Sequence, residues 1–236
     1  MLKIVILSLL LSVQAYAYDF GKCNTLFPKN TPPKSMGVLG SEVRELCFKD
    51  FAVLYSPRTK TPLFSVEKLN YLRLKGHAKR TNHFHEEVRL RLSERSTLSD
   101  YNRSGYDRGH IAPAADFIDP VSVEESFSLA NMSPQAPRLN RGIWAKNVEK
   151  PTREYVKRAS GNVYVFTGPV FQGNKPSHTI GQNRVWVPDY FFKLVYDEGS
   201  QRSWVFYLPN SDNAQMSRPI SYSEFVNKTG YELLGR

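Results

Sequence analysis

The sequence predicts a single mixed α+β domain, a central and mostly antiparallel sheet flanked by helices. Three observations carry that reading. Strand-like runs lie near residues 51–70 and again after Gly161, helical segments fall between and after them, and the chain has neither an internal repeat nor a Gly/Ser linker. The 236 residues are 41% apolar and include 14 Phe and 13 Tyr, which excludes a disordered polyelectrolyte. Two Cys exclude both a disulfide-dense scaffold and a four-thiolate zinc site.

The first residues set the compartment. Lys3 precedes an apolar run from Ile4 to Val13, and Ala15 and Ala17 follow with small-residue cleavage spacing, so residues 1–17 are predicted to be a signal peptide. The run is shorter than the roughly 20 residues a membrane helix needs, and no later segment is long enough. The expectation is therefore an exported protein, periplasmic or extracellular, with no membrane partner. Removing residues 1–17 takes away one basic residue, Lys3, of the 32 Lys and Arg that oppose 22 Asp and Glu, and the product stays strongly cationic.

Residues 18–49, with Pro28, Pro32, Pro33 and Gly37, read as an irregular N-terminal segment. In an oxidising compartment Cys23 and Cys47 are expected to pair, and the closed loop would add about 3 kcal/mol by restricting the unfolded chain. Two separately buried thiols, or a bond to a partner chain, are the alternatives. Neither Cys lies in a C-x-x-C, so redox catalysis is not expected.

Residues 50–236 form the predicted domain. FAVLYS (51–56) and PLFSVEKLN (62–70) alternate apolar and polar side chains around the turn Pro57–Thr61, and are read as adjacent strands. Residues 75–105, rich in charge, His, Ser and Gly, read as a long surface excursion. Ser122–Ala130 reads as a short helix. A longer helical stretch runs from about Leu139 to Ala159, and Pro151 either breaks it or opens a second helix. NVYVFTGPVF (162–171), VWVPDYFFKLVYD (185–197) and SWVFYLP (203–209) are aromatic and β-branched strands. The tail SYSEFVNKTGYELL reads as a helix capped by Ser221 or Ser223 and ended near Gly230.

The tract that carries chemistry is Tyr106-Asp107-Arg108-Gly109-His110, followed by Asn131-Met-Ser-Pro-Gln135 and Leu139-Asn140-Arg-Gly-Ile-Trp144. Phosphodiester hydrolysis needs a base for water, positive charge at the phosphoryl oxygens and help for a departing alkoxide. His110 titrates near neutrality, Arg108 suits a phosphate, and the Asn140 amide oxygen suits a hydrated divalent cation.

DRGHIAPAADF, LANMSPQ and LNRGIW, in this order and spacing, resemble the DNA/RNA non-specific endonuclease family of the ββα-metal superfamily. VFTGPVF, the VPDYFFKLVYD strand and the FVNKTGYELL tail are similar to that family as well, so the resemblance covers roughly residues 50–236. It implies a ββα-metal active-site motif, His110 as general base and Asn140 as sole direct protein ligand to Mg²⁺, with Mn²⁺ a possible substitute. It further implies 5′-phosphate products, DNA and RNA as substrates because water is the nucleophile, and no nucleotide cofactor. Asp107 would bond metal-bound waters or organise the DRGH turn, and Arg108 matches the motif Arg. Asn131 matches an Asn that supports the base and nearby backbone. Asn131-Met-Ser also fits a glycosylation sequon, and Trp144 reads as core.

The chain departs from the family in two places. The family's water-shell Glu lies eight residues after the metal-binding Asn, whereas Glu149 lies nine after Asn140. At about 100° per residue nine steps of α-helix turn a side chain by about 180°, away from the start. A π-type bulge would restore Glu149 as a ligand through water; without one, Asn147 is the substitute. The family's phosphate-clamping Arg, next to an aromatic residue upstream of DRGH, has no direct counterpart. In Lys79-Arg80-Thr-Asn-His83-Phe84-His85-Glu86 the clamp is assigned to Arg80, or is weakened and dependent on His85. His77, His83 and His85 are read as solvated loop residues rather than a transition-metal cluster. The cationic balance suits salt-sensitive, sequence-independent attraction to a polyanion. The runner-up function is a catalytically impaired nucleic-acid-binding protein on the same scaffold, disabled by the displaced Glu149 and the missing Arg.

Overall fold

The computed structural model describes residues 20–33, 42–76 and 78–235. The signal peptide expected over residues 1–17 lies outside the described residues, as does His77. In chain order the strands are β1 Arg44–Cys47, β2 Phe51–Ser56, β3 Thr61–Leu69, β4 Asp107–His110, β5 Met132–Gln135, β6 Val163–Val170, β7 Thr179–Ile180, β8 Val185–Trp186, β9 Tyr190–Asp197 and β10 Arg202–Pro209. The helices are α1 Pro120–Ser126, a π-helical segment Leu139–Glu149 that runs directly into α2 Lys150–Val156, and α3 Tyr222–Thr229.

Six strands form one antiparallel sheet in the order β1-β2-β3-β6-β9-β10. The mixed α+β class and the central antiparallel sheet are as the sequence predicts. Every residue of β2 and β6 is buried, because the sheet is covered on both faces. On one face Leu54, Phe64, Phe166 and Phe192 pack against Phe27 and against Phe225 of α3. On the other, Val163, Val165, Phe191 and Val195 pack against Trp144, Val148 and Val156 of the π and α2 segments. Farther along this second layer Phe51, Val53 and Tyr55 meet Phe117, Val123 and Phe127. Fully burying each Phe contributes about 1.5–3 kcal/mol, so this layer is strongly held to the sheet.

Several local signals act as expected. The Ser221 side chain accepts from Glu224 N at 3.1 Å, and Gly230, at φ 72°, ends α3 in the left-handed conformation that glycine adopts without penalty. Pro151 falls in the first turn of α2, where its missing donor costs nothing. Asp119 caps α1 by accepting from Val121 N and Ser122 N.

The N-terminal segment departs from expectation. The described residues 20–33 and 42–49 are not simply irregular. Three short 3-10 turns place Phe20, Leu26 and Phe27 in the core, and Arg44–Cys47 adds the edge strand β1. A Cys23–Cys47 disulfide ties the two parts together. No helix among the described residues is long and apolar enough to cross a membrane.

Candidate active site

β4 and β5 form a two-stranded antiparallel ribbon across the intervening α1 segment, hereafter the site hairpin, with His110 opposite Met132 and Asp107 opposite Gln135. Gly109 is required there, since a Cβ would lie 2.3 Å from Gln135 Oε1 and 2.6 Å from its Cβ. The backbone that leaves His110 is fixed by Asn131. Its Oδ1 accepts from Ala112 N at 2.9 Å, and its Nδ2 donates to Ala112 O at 2.8 Å and Ser126 O at 2.9 Å. Its carbonyl accepts from Ile111 N at 2.9 Å. Asn131, expected at the site as a support for the base and the nearby backbone, is fully buried and does not line the cleft, and its bonds hold the strand. The same bonds leave its amide no room for a glycan.

The excursion after residue 77 is docked rather than free. His85 N donates to Phe127 O and Leu129 N to His85 O, while the buried Glu87 carboxylate accepts from Arg89 and from Ser128 Oγ. This places Phe84 against both Phe127 and His110, with ring centroids 5.0 and 5.6 Å away. The Arg108 guanidinium lies 4.4 Å from the Phe84 ring, and that of Arg80 lies 5.1 Å from Phe127.

These elements enclose a cleft of about 400 Å³ whose walls include Arg80, Phe84, Asp107, Arg108, His110, Asn140, Arg141 and Glu149. His110 Nε2 and Arg108 Nε are both buried there without a hydrogen-bond partner in the protein. Leaving such a group unpaired costs about 1–3 kcal/mol, so each is a polar atom that the protein alone does not satisfy. Burial, reinforced by the Arg80 charge, pulls the His110 imidazole down to about 3 and keeps it neutral.

Asp107 joins the hairpin to the π segment. Its Oδ2 accepts from Asn140 Nδ2 at 2.8 Å and from Arg141 Nε at 2.7 Å, and its Oδ1 pairs with Arg141 Nη2. The Asn140 amide nitrogen is thereby committed, which leaves its oxygen for a ligand. Asp107 thus organises the site through Asn140 rather than through the DRGH turn alone.

The nine-residue spacing is accommodated by the backbone. Leu139–Glu149 winds as a π-helix throughout, rather than with a single bulge. Closure from i to i+5 takes roughly 4.4 residues per turn, so nine steps complete about two turns and return Glu149 to the side of Asn140. Glu149 accordingly lines the cleft, whereas Asn147 is exposed outside it. Trp144 is core, packed on Phe191 at 5.8 Å.

Of the two assignments for the upstream cation, Arg80 reaches the cleft and His85 does not. His83 and His85 sit near Glu124, at 3.4 and 4.0 Å. No group of three or more His, Cys, Asp or Glu suited to a metal occurs among the described residues. The available donors, one neutral amide and one nearby carboxylate, fit an ion that keeps most of its waters, as Mg²⁺ does.

Beneath Glu149 lies a layer that sequence reasoning missed. Lys193 of β9, 1% exposed, donates to Thr167 Oγ1 at 2.7 Å. Arg153 of α2 pairs with the buried Asp116 at 2.8 Å. The carboxyl of Glu67 on β3 is fully buried without a partner in the protein. Burial and the Asp116 charge raise Glu67, with Lys193 opposing, and burial also raises Glu149, with Lys193 again opposing. The available signal was a charged residue at an inward position in each of two apolar strands.

Comparison with known proteins agrees with the motifs. The model of the DNA/RNA non-specific endonuclease family matches residues 30–234. Mitochondrial endonuclease G of Bos taurus is 38% identical over 176 residues, 68% of this chain and 58% of that protein. Nuclease C1 of Cunninghamella echinulata var. echinulata is 34% identical over 177 residues, 69% of each chain. Among solved structures, that of an EndoG/EndoGI complex, described as showing the mechanism of EndoG inhibition, superposes with a TM-score of 0.70 at 27% identity, over 83% of this chain and 86% of that one. The chain spans about three-fifths of the length of the mitochondrial relative. On the extent of the family match, and on the motifs gathered at the cleft, this chain belongs to the DNA/RNA non-specific endonuclease family.

Proposed function

We propose that the protein is a metal-dependent endonuclease that hydrolyses DNA and RNA without sequence specificity. The observation that carries the reading is the shared cleft. It holds a neutral imidazole, three guanidinium groups, of which that of Arg141 is paired with Asp107, and an amide whose nitrogen is already bound. His110 takes a proton from water as its oxygen bonds to phosphorus, and the bond from phosphorus to the 3′ oxygen breaks. A bound phosphate offsets the Arg80 charge and raises the basicity of His110 when substrate is present. Arg108 and Arg80 face the non-bridging oxygens, and Arg108 Nε gains the acceptor it lacks. Asn140 through its amide oxygen, and Glu149 through water, would hold a hydrated Mg²⁺, with Mn²⁺ as a substitute. Such an ion would supply stabilisation for charge on the departing 3′ oxygen, and breaking that bond leaves 5′-phosphate ends.

No ribose hydroxyl is required, so both nucleic acids are substrates. The order β4, β5, helix supports reading the site as a ββα-metal motif. The N-terminal residues support export to the periplasm or beyond. The impaired-binder alternative rested on a displaced Glu149 and a missing cation; the π segment that turns Glu149 to the cleft and the position of Arg80 favour the active reading. Incubation of the purified protein with plasmid DNA and with RNA, in Mg²⁺ and then in chelator, tests the proposal. Cleavage of both that chelator abolishes is expected; retardation of the nucleic acid without cleavage would refute it.

A further inference from the structure

We propose that a hollow beside the cleft, walled by Tyr106 and His178, is a nucleobase-stacking subsite that takes one base of the polynucleotide flanking the cut. The inference rests on the nuclease reading above. Arg108 and His110 alternate onto one face of β4, and Tyr106 immediately precedes that strand. Phe84 links the two: it lies under the Arg108 guanidinium and beside the His110 ring, and it packs against the same apolar cluster as Tyr106. A strand lying across His110 and Arg108 is therefore led toward Tyr106.

The hollow has a volume of about 290 Å³ and includes Gln172, Ser177, Asp189 and Asn210. The Tyr106 and His178 rings are 6.0 Å apart and tilted by 38°, so they are not stacked on each other, and His178 is exposed. The surrounding walls are fixed. Asp189 accepts from Gln172 N at 2.7 Å and Ser177 Oγ at 3.1 Å. Asn210 bonds Pro188 O and, at the start of the π segment, Ala136 N. It also bonds Pro134 O of β5, which makes the hollow continuous with the hairpin that carries His110. The chemistry is apolar ring surface bounded by neutral donors and acceptors, with the Asp189 oxygens already engaged. That suits a base and not a phosphate.

Four residues of extended strand span about 13 Å. This equals about four stacked nucleotide steps at roughly 3.4 Å, and fewer in an unstacked strand. The base taken would thus lie two to four nucleotides from the cut. Stacking of this kind tolerates any base, as a nuclease without sequence preference needs.

The test is an abasic scan. A fluorescent single-stranded DNA decamer, and versions carrying one abasic site at each position, are bound to wild type, Tyr106→Ala, Tyr106→Phe and His178→Ala in chelator, and anisotropy gives each Kd. The wild type should bind one abasic version roughly 5- to 100-fold more weakly than the intact strand. That penalty should vanish in Tyr106→Ala, persist in Tyr106→Phe and shrink in His178→Ala, which keeps the test alive if Tyr106→Ala fails to fold. Equal abasic penalties in all four proteins would overturn the subsite. Failure of the wild type to cut nucleic acid in Mg²⁺ would instead overturn the nuclease reading.

Discussion

His110 should make the protein measurably sensitive to acid. In the unfolded chain its imidazole titrates near 6.5, whereas burial and Arg80 hold it near 3 in the fold. The folded pKa is the lower one, so the contribution to stability is complete above 6.5 and is lost as pH falls toward 3. The slope is about 1.4 kcal/mol per pH unit across that window. Between pH 7 and pH 5 the loss from this one residue is about 2 kcal/mol, and it changes little if the folded value is a unit higher. His110→Gln removes the titration. Urea unfolding of both proteins at the two pH values, in chelator, reads the difference. At an m-value of about 2 kcal/mol/M, the wild-type midpoint should fall by ~1 M more than that of the variant. Equal falls would show that the imidazole titrates normally in the fold, and the argument for a neutral, desolvated base would fail.

Three further outcomes follow from the same geometry. Asn140→Ala should restore cleavage only at much higher Mg²⁺, and an unchanged Mg²⁺ response would remove this residue from the ion's surroundings. Asp107→Ala frees the Asn140 amide and Arg141, so the Mg²⁺ concentration for half-maximal cleavage should rise about 10- to 100-fold; a wild-type Mg²⁺ dependence would mean that Asn140 needs no such hold. Reducing the Cys23–Cys47 bridge, a separation of 24 residues, should lower unfolding free energy by about 3 kcal/mol, and an unchanged melting temperature in reductant would show it dispensable.

The strands of the central sheet were legible wherever β-branched and aromatic residues run together, as in VYVFTGPV and YFFKLVYD. The ends of α3 were legible in Ser221 and Gly230. The hairpin that carries the site was not legible from pattern. Its strands, DRGH and MSPQ, are four residues each, hold Gly and Pro, and show no apolar alternation, so only the family resemblance pointed to them. Strand β1 was hidden for a similar reason: RELC is four residues long, begins with two charged side chains and ends at a disulfide.

The π segment has no compositional signature. What betrayed it was one surplus residue between Asn140 and Glu149, a conflict between an α-helical period and a required side-chain direction, which the backbone settles by winding more loosely. The buried pair of Arg153 and Asp116, and the lone Glu67 carboxyl, escaped notice because periodicity reports burial but not the partners that make a buried charge tolerable. The residues that gather at the cleft were thus readable from motifs, while the layer beneath them required the fold.

The central claim is that His110 and Asn140 serve one phosphodiester. A crystal structure of the His110→Ala protein with Mg²⁺ and a short oligonucleotide tests it most directly. The account predicts an ion about 2.1 Å from the Asn140 amide oxygen, and a single phosphate that touches the ion on one side and faces residue 110 on the other. An ion held without Asn140, or a phosphate bound away from position 110, would contradict it.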